Sequence, residues 1–180
     1  MRAVVIRLLF VPTLLWNLLL ARLLRRRRWW DRVDEHLVLG GLPFPGTADE
    51  LAREGVRAVV NTCLEYGGPV RRYAAHGIEQ LRVPTLDFTP PSLEHVRAAV
   101  AFIERHVARG ESVYVHCKAG RGRSATVALC WLVAHRGISP RAAQDVLAAA
   151  RPHVNPGVWQ RAVVAEFVAG LAATASPTDR

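Results

Sequence analysis

The chain has 180 residues, enough for one domain with a sizeable core, and a formal charge of +9. That charge is lopsided: residues 1–32 hold eight arginines and one aspartate, a surplus of +7, leaving +2 for the rest, which argues against a nucleic-acid-binding face on the main domain. Three cysteines (Cys63, Cys117, Cys130) form no Cys-x-x-Cys pair, which excludes a disulfide scaffold and fits a reducing compartment.

Residues 3–24 are strongly apolar but interrupted by Arg7, Pro12, Asn17 and Arg22. The longest charge-free run, Leu8 to Ala21, covers 14 residues, short of the roughly 20 that cross a bilayer. Four arginines at 25–28 and the pair Trp29, Trp30 follow, a polybasic cluster beside interface-seeking aromatics. Residues 1–32 are expected to act as a membrane-associating segment, lying on the membrane surface or embedded in it. A targeting sequence and a helix packed on the domain are the alternatives.

The main domain is expected over residues 33–172, with a disordered tail at 173–180. A short strand at 36–39 ends at Gly40 and Gly41, and Thr47 with Glu50 forms a capping box for a helix stopped by Gly55. A buried-type strand at 56–60 leads into a loop at 61–70 that carries Glu65 and Tyr66. A third strand at 78–83 is followed by a loop containing Asp87, and Ser92 caps a helix with Leu93, Val96, Val100 and Ile103 on its apolar face. A fourth strand enters the stretch 113–124, after which a helix runs to about residue 136. Ser139 followed by Pro140 opens another helix, and a last helix covers about 156–171. Strands alternating with helices point to an α/β fold: a central, mainly parallel sheet of four to five strands flanked by helices, preceded by an apolar N-terminal helix.

Residues 113–124 carry the chemistry. Cys117 and Arg123 bracket a loop with Gly120 and Gly122, between a strand and a helix start. Inward N–H groups from Lys118, Ala119, Gly120, Arg121 and Gly122, together with the helix dipole, would make a cradle for a dianion. Cys117 at its base would be held as a thiolate and attack phosphorus, while Arg123 grips equatorial oxygens with its planar fork. Ser124 could donate to the sulfur or cap the helix. His116 either fixes the loop and tunes the thiolate or packs at the strand end. Lys118, the only lysine in the chain, and Arg121 could meet a second phosphate or be solvated loop charges. Asp87 is the expected general acid, with Glu65 as the alternative carboxylate. Cys63 could cap an oxidised Cys117 or be plain core. The chemistry needs no metal and no cofactor.

His116–Ser124 resembles the active-site signature of cysteine-dependent protein tyrosine and dual-specificity phosphatases. The longer string His-Cys-Lys-Ala-Gly-Arg-Gly-Arg-Ser-Ala-Thr from His116 is similar to the mitochondrial-type phosphatidylglycerophosphate phosphatases within them. Phe10-Val-Pro-Thr-Leu-Leu, Trp30-Asp-Arg-Val-Asp, Leu37-Val-Leu-Gly-Gly-Leu-Pro, Leu86-Asp-Phe-Thr and Val113-Tyr-Val-His extend the likeness over nearly the whole chain. The resemblance implies hydrolysis of a lipid phosphomonoester through a phosphocysteine, with Asp87 as acid and Tyr66 in a supporting role. With the N-terminal segment and the free cysteines, a membrane surface on a reducing side is expected: the cytoplasmic side of a bacterial inner membrane, or the mitochondrial inner membrane in a eukaryote. Of the family's acidic Glu-Glu-Tyr-Glu-type motif only Glu65 and Tyr66 are present. A dual-specificity phosphatase on phosphoproteins or phosphoinositides is the second reading, and a module that binds phosphorylated ligands without turnover is the third.

Overall fold

The computed structural model describes residues 2–23 and 27–175. Arg25 and Arg26 of the basic cluster, and residues 176–180 of the expected tail, lie outside the described residues.

Five strands form one sheet: β1 (Trp30–Arg32), β2 (Leu37–Gly40), β3 (Val56–Cys63), β4 (Glu79–Thr85) and β5 (Ser112–His116), in the order β1-β2-β5-β3-β4. All pairings are parallel except β1 with β2. β2, β5 and most of β3 are buried, as central parallel strands covered on both faces must be. On one face lie α4 (Leu93–Val107), α5 (Arg123–Arg136), α6 (Pro140–Ala150) and α7 (Ala162–Ala175), enclosing the main core; the other face is closed by α2 (Pro45–Arg53) and α3 (Val70–Ala75) over a smaller cluster. α5 is buried from Arg123 to Val133, so it is the axis of the helical layer. Gly137 ends it in the left-handed conformation, at φ 62°.

Several local expectations change. Trp30–Arg32, read with the N-terminal segment, is an edge strand, and its Asp31 is buried against Arg151. The capping box at Thr47 does not form. Pro45, preset for the first helical turn, starts α2 three residues earlier with Phe44 at the cap position, which leaves Thr47 inside the helix and its hydroxyl without a partner. A short helix, α3, follows the loop after β3. The last helix begins at Ala162 after a 3₁₀ turn at Val158–Gln160 and reaches Ala175, so residues 173–175 of the expected disordered tail are helical. The caps at Ser92 and Ser139 form as expected, each accepting a backbone N–H three residues on.

The N-terminal helix α1 (Arg2–Leu18) continues into a π-helical turn at Leu19–Leu23. No helix among the described residues is long and apolar enough to cross a membrane. α1 turns Phe10, Thr13 and Asn17 inward at helical spacing, with Phe10 8 % exposed, while Leu9, Val11, Leu15 and Trp16 remain exposed.

Candidate active site

The carboxyl ends of β2, β3, β4 and β5 lie at one edge of the sheet, where α/β folds place their ligands. Gly40, Glu65, Asp87 and Cys117 therefore converge, although they are far apart in sequence.

The loop from Cys117 to Gly122 is turned inside out by its supports. Arg151 donates from Nη2 to the Ala119 carbonyl and from Nε to the Gly120 carbonyl, both at 3.0 Å. The Asn155 N–H takes the Arg121 carbonyl at 2.9 Å, and Arg161 takes that of Gly122 at 3.1 Å. With these carbonyls tied outward, the loop's N–H groups are left for the interior, and that of Gly120 donates to the Cys117 sulfur at 3.2 Å. Gly120 has φ +68°, and a Cβ there would lie 2.6 Å from the Gly40 carbonyl, so both conformation and packing require glycine.

Cys117 is 4 % exposed. Burial pushes its thiol up, but the Arg123 guanidinium, the Ser124 hydroxyl at 3.3 Å and the N–H groups of Ser124 and Ala119 outweigh it and bring the thiol down to about 6. The sulfur is thus a thiolate at neutral pH. Burial pushes Cys130 up to about 12, and burial first, together with the neighbouring Cys117, Glu65 and Asp87, outweighs Arg123 and pushes Cys63 higher still, so of the three free cysteines only Cys117 is held as a thiolate near neutral pH. His116 is fully buried, and burial first, with the Arg123 charge, lowers it to about 3. It is a neutral ring stacked on Tyr114 at 5.6 Å, with Nδ1 3.3 Å from the Cys117 carbonyl. This is a packing and loop-holding position.

Arg123 donates through Nη1 to the Thr85 carbonyl at 2.7 Å and to Glu65 at 2.9 Å. Its Nη2 is 3.0 Å from Asp87 Oδ1 by ion-pair distance, yet it makes no directed hydrogen bond and is buried. That nitrogen is a buried donor whose N–H bonds have no directed acceptor. Glu65, the alternative acid in the sequence, is committed here: one oxygen holds Arg123 and the other accepts the Asp87 N–H at 2.9 Å. Asp87 stands beside the loop, with Oδ1 accepting the Phe88 N–H at 3.0 Å and Oδ2 paired with Lys118. Phe88 adopts φ 60°, unusual for a bulky residue, and its ring is 67 % exposed at the rim. Tyr66 donates to the Pro43 carbonyl at 2.7 Å, pinning the loop after β3 to the end of β2. Arg121 donates to the His153 carbonyl at 2.8 Å, and its side chain still lines the cleft.

The cleft above Cys117 measures about 420 Å³ and is lined on the N-terminal side by Thr13, Trp16 and Asn17, and elsewhere by Asp87, Phe88, Lys118, Arg121 and Arg161. Lys118 is 5 % exposed, so it is not a solvated loop charge.

The sequence does not single out Arg151. Among 23 arginines nothing local distinguishes one that will be buried, and its role exists only through contacts far along the chain. It is 1 % exposed and pairs with buried Asp31 at 2.5 Å. Arg151→Met should cost about 3–5 kcal/mol in urea unfolding, because it strands a buried carboxylate. Adding Asp31→Asn should restore most of the stability but not the turnover, since the Ala119 and Gly120 carbonyls stay untethered. Phosphate release measured beside the unfolding midpoint separates the two effects.

The chain resembles known proteins throughout this region. Residues 45–168 match the family model described as dual specificity phosphatase, catalytic domain. Phosphatidylglycerophosphate phosphatase PTPMT2 of Arabidopsis thaliana is 42 % identical over 164 residues, covering 89 % of this chain and 72 % of the relative. Phosphatidylglycerophosphatase and protein-tyrosine phosphatase 1 of Mus musculus is 35 % identical over 179 residues, covering 94 % and 93 %. The crystal structure of PTPMT1 in complex with PI(5)P superposes with a TM-score of 0.75 at 32 % identity, covering 82 % of this chain and 99 % of that one. With sheet order, thiolate loop and sequence agreeing along most of its length, this chain belongs to the dual-specificity phosphatase family.

Proposed function

We propose that the chain is a phosphatidylglycerophosphate phosphatase that removes the terminal phosphate of its lipid through a phosphocysteine. The supporting observation is a thiolate cradle flanked by an apolar helix: Cys117 lies in a cationic cleft lined by the exposed apolar residues Trp16 and Phe88, and α1 exposes Leu9, Val11 and Leu15 as well. Acyl chains stay in the bilayer beside those residues, and the head group reaches down to the loop. α1 and the basic residues after it rest on the membrane, on a reducing side that keeps the thiolate intact. Relatives named for this activity, at 35–42 % identity, support the same reading.

In the first step the Cys117 sulfur bonds to phosphorus as the P–O bond to the glycerol breaks, and Asp87 gives its proton to the leaving oxygen. The loop N–H groups and Arg123 hold the equatorial oxygens while charge shifts. In the second step water attacks phosphorus, Asp87 accepts its proton, and the sulfur departs as a thiolate stabilised by the Ser124 hydroxyl.

The test is phosphate release from phosphatidylglycerophosphate in mixed micelles, compared with phosphoinositides and a phosphotyrosine peptide, with Cys117→Ser as the blank. The expected result is the highest kcat/KM on phosphatidylglycerophosphate. A higher value on a phosphoinositide would favour the second reading, to which the solved complex of PTPMT1 with PI(5)P lends support.

A further inference from the structure

Lys118 occupies an unusual place for a cation beside a phosphate site. Its Nζ does not point into the cradle. It pairs with Oδ2 of Asp87, donates to Thr13 Oγ1 at 2.6 Å, and lies between the rings of Phe88 at 4.8 Å and Phe10 at 5.2 Å. The Thr13 hydroxyl hydrogen is committed to the Leu9 carbonyl of its own helix at 2.5 Å, so its lone pairs face the ammonium. Two of the three N–H bonds of Lys118 are thus used on Asp87 and Thr13, and the side chain lines the cleft.

The consequence falls on Asp87. Its Oδ1 already accepts the Phe88 N–H and sits beside Arg123, so Oδ2 is the oxygen left to carry a proton to a leaving group. Lys118 covers that oxygen. A carboxylate oxygen accepting from an ammonium cannot at the same time hold a proton and present it to an alkoxide.

Building on the proposed function, we infer that Lys118 is a lock on the general acid, opened by a second anionic group of the substrate. A phosphodiester lying in the cleft about one head group from the reacting phosphorus draws the ammonium off Asp87. Oδ2 then takes up a proton from bulk solvent, delivers it to the leaving oxygen, and regains one from the attacking water in the second step. A substrate with one phosphate fills the cradle but leaves the lock shut. Selection for doubly anionic head groups is thereby exercised in kcat as well as in binding. α1 belongs to the device, because Thr13 and Phe10 supply the outer half of the slot that holds Lys118 closed.

The test uses water-soluble substrates, so that membrane docking plays no part: glycerol 3-phosphate, with one phosphate, and the deacylated head group of phosphatidylglycerophosphate, with two. In the wild-type full chain kcat should be about tenfold or more higher on the two-phosphate substrate, a part of the ~10²–10⁴ that a general acid supplies. Lys118→Met keeps an unbranched chain between the two rings. It should raise kcat on glycerol 3-phosphate several-fold and lower kcat/KM on the deacylated head group about tenfold, bringing the two kcat values together. A proportional fall on both substrates would assign Lys118 a structural role only and overturn the lock. Equal wild-type kcat values, with the preference confined to KM, would overturn it too, and that comparison needs no variant. No preference in kcat/KM at all would instead strike the proposed lipid substrate.

Discussion

Replacing Arg123 by lysine should leave Cys117 reactive and the enzyme nearly dead. The lysine keeps a cation beside the sulfur, so alkylation by iodoacetamide should still rise through about pH 6, where the wild-type thiol ionises. What the lysine lacks is the planar fork: Nη1 anchored on the Thr85 carbonyl and Glu65, Nη2 buried beside Asp87 without a directed hydrogen bond. Phosphate release should fall roughly 10³-fold or more, since losing a single preorganised donor already costs about 10²–10³. Arg123→Met separates the two roles. The Arg123 charge is the largest influence that lowers the thiol, and burial opposes it. Without that charge the thiolate is disfavoured, the thiol moves up toward its ordinary value near 9, and alkylation at pH 7 should slow with turnover. If alkylation of Arg123→Met kept its midpoint near pH 6, the loop N–H groups and Ser124 alone would be holding the thiolate.

The parts of the site visible in the sequence are those whose chemistry is local. Cys117 to Ser124 is one loop between one strand and one helix; its glycines, nucleophile and arginine stand within eight residues, so spacing alone defines the cradle. Asp87 could be placed because it follows a strand and therefore reaches the same sheet edge. Its competition with Glu65 could not be decided that way, because both loops arrive at that edge. The difference lies in partners: Glu65 spends both oxygens on Arg123 and the Asp87 N–H, and no local pattern announces that. β1 is not legible in the sequence for a related reason. Three residues in a basic, aromatic stretch carry no alternation, and Asp31 gains its meaning only from Arg151. The contact of α1 with Lys118 is likewise tertiary, although Phe10 and Thr13 fall in one of the segments that carry the family likeness. Local competition also matters: Pro45 overrode the Thr47 capping box because a residue with preset φ costs less to place at a helix start.

Asp87→Asn should slow release of phosphate from the lipid by about 10²–10⁴, the usual contribution of a positioned proton donor. An amide keeps the shape and can still accept the Phe88 N–H, but it has no proton to give. The loss should depend on the leaving group. A glycerol alkoxide is a poor one and needs the proton, whereas p-nitrophenolate leaves without it, so on p-nitrophenyl phosphate the same variant should lose roughly tenfold or less in phosphoenzyme formation. Cys117 should still be alkylated with a midpoint near pH 6, because the Arg123 charge, the Ser124 hydroxyl and the N–H groups of Ser124 and Ala119 that lower it all remain. Glu65→Gln is the control that makes the assignment decisive. It weakens the bond that aims Arg123, so it should slow lipid and aryl substrates by similar factors through poorer transition-state contact. Should leaving-group dependence appear in Glu65→Gln and not in Asp87→Asn, the acid would be Glu65. Asp87 would then be only the counter-charge that keeps Lys118 and Arg123 together in a buried site.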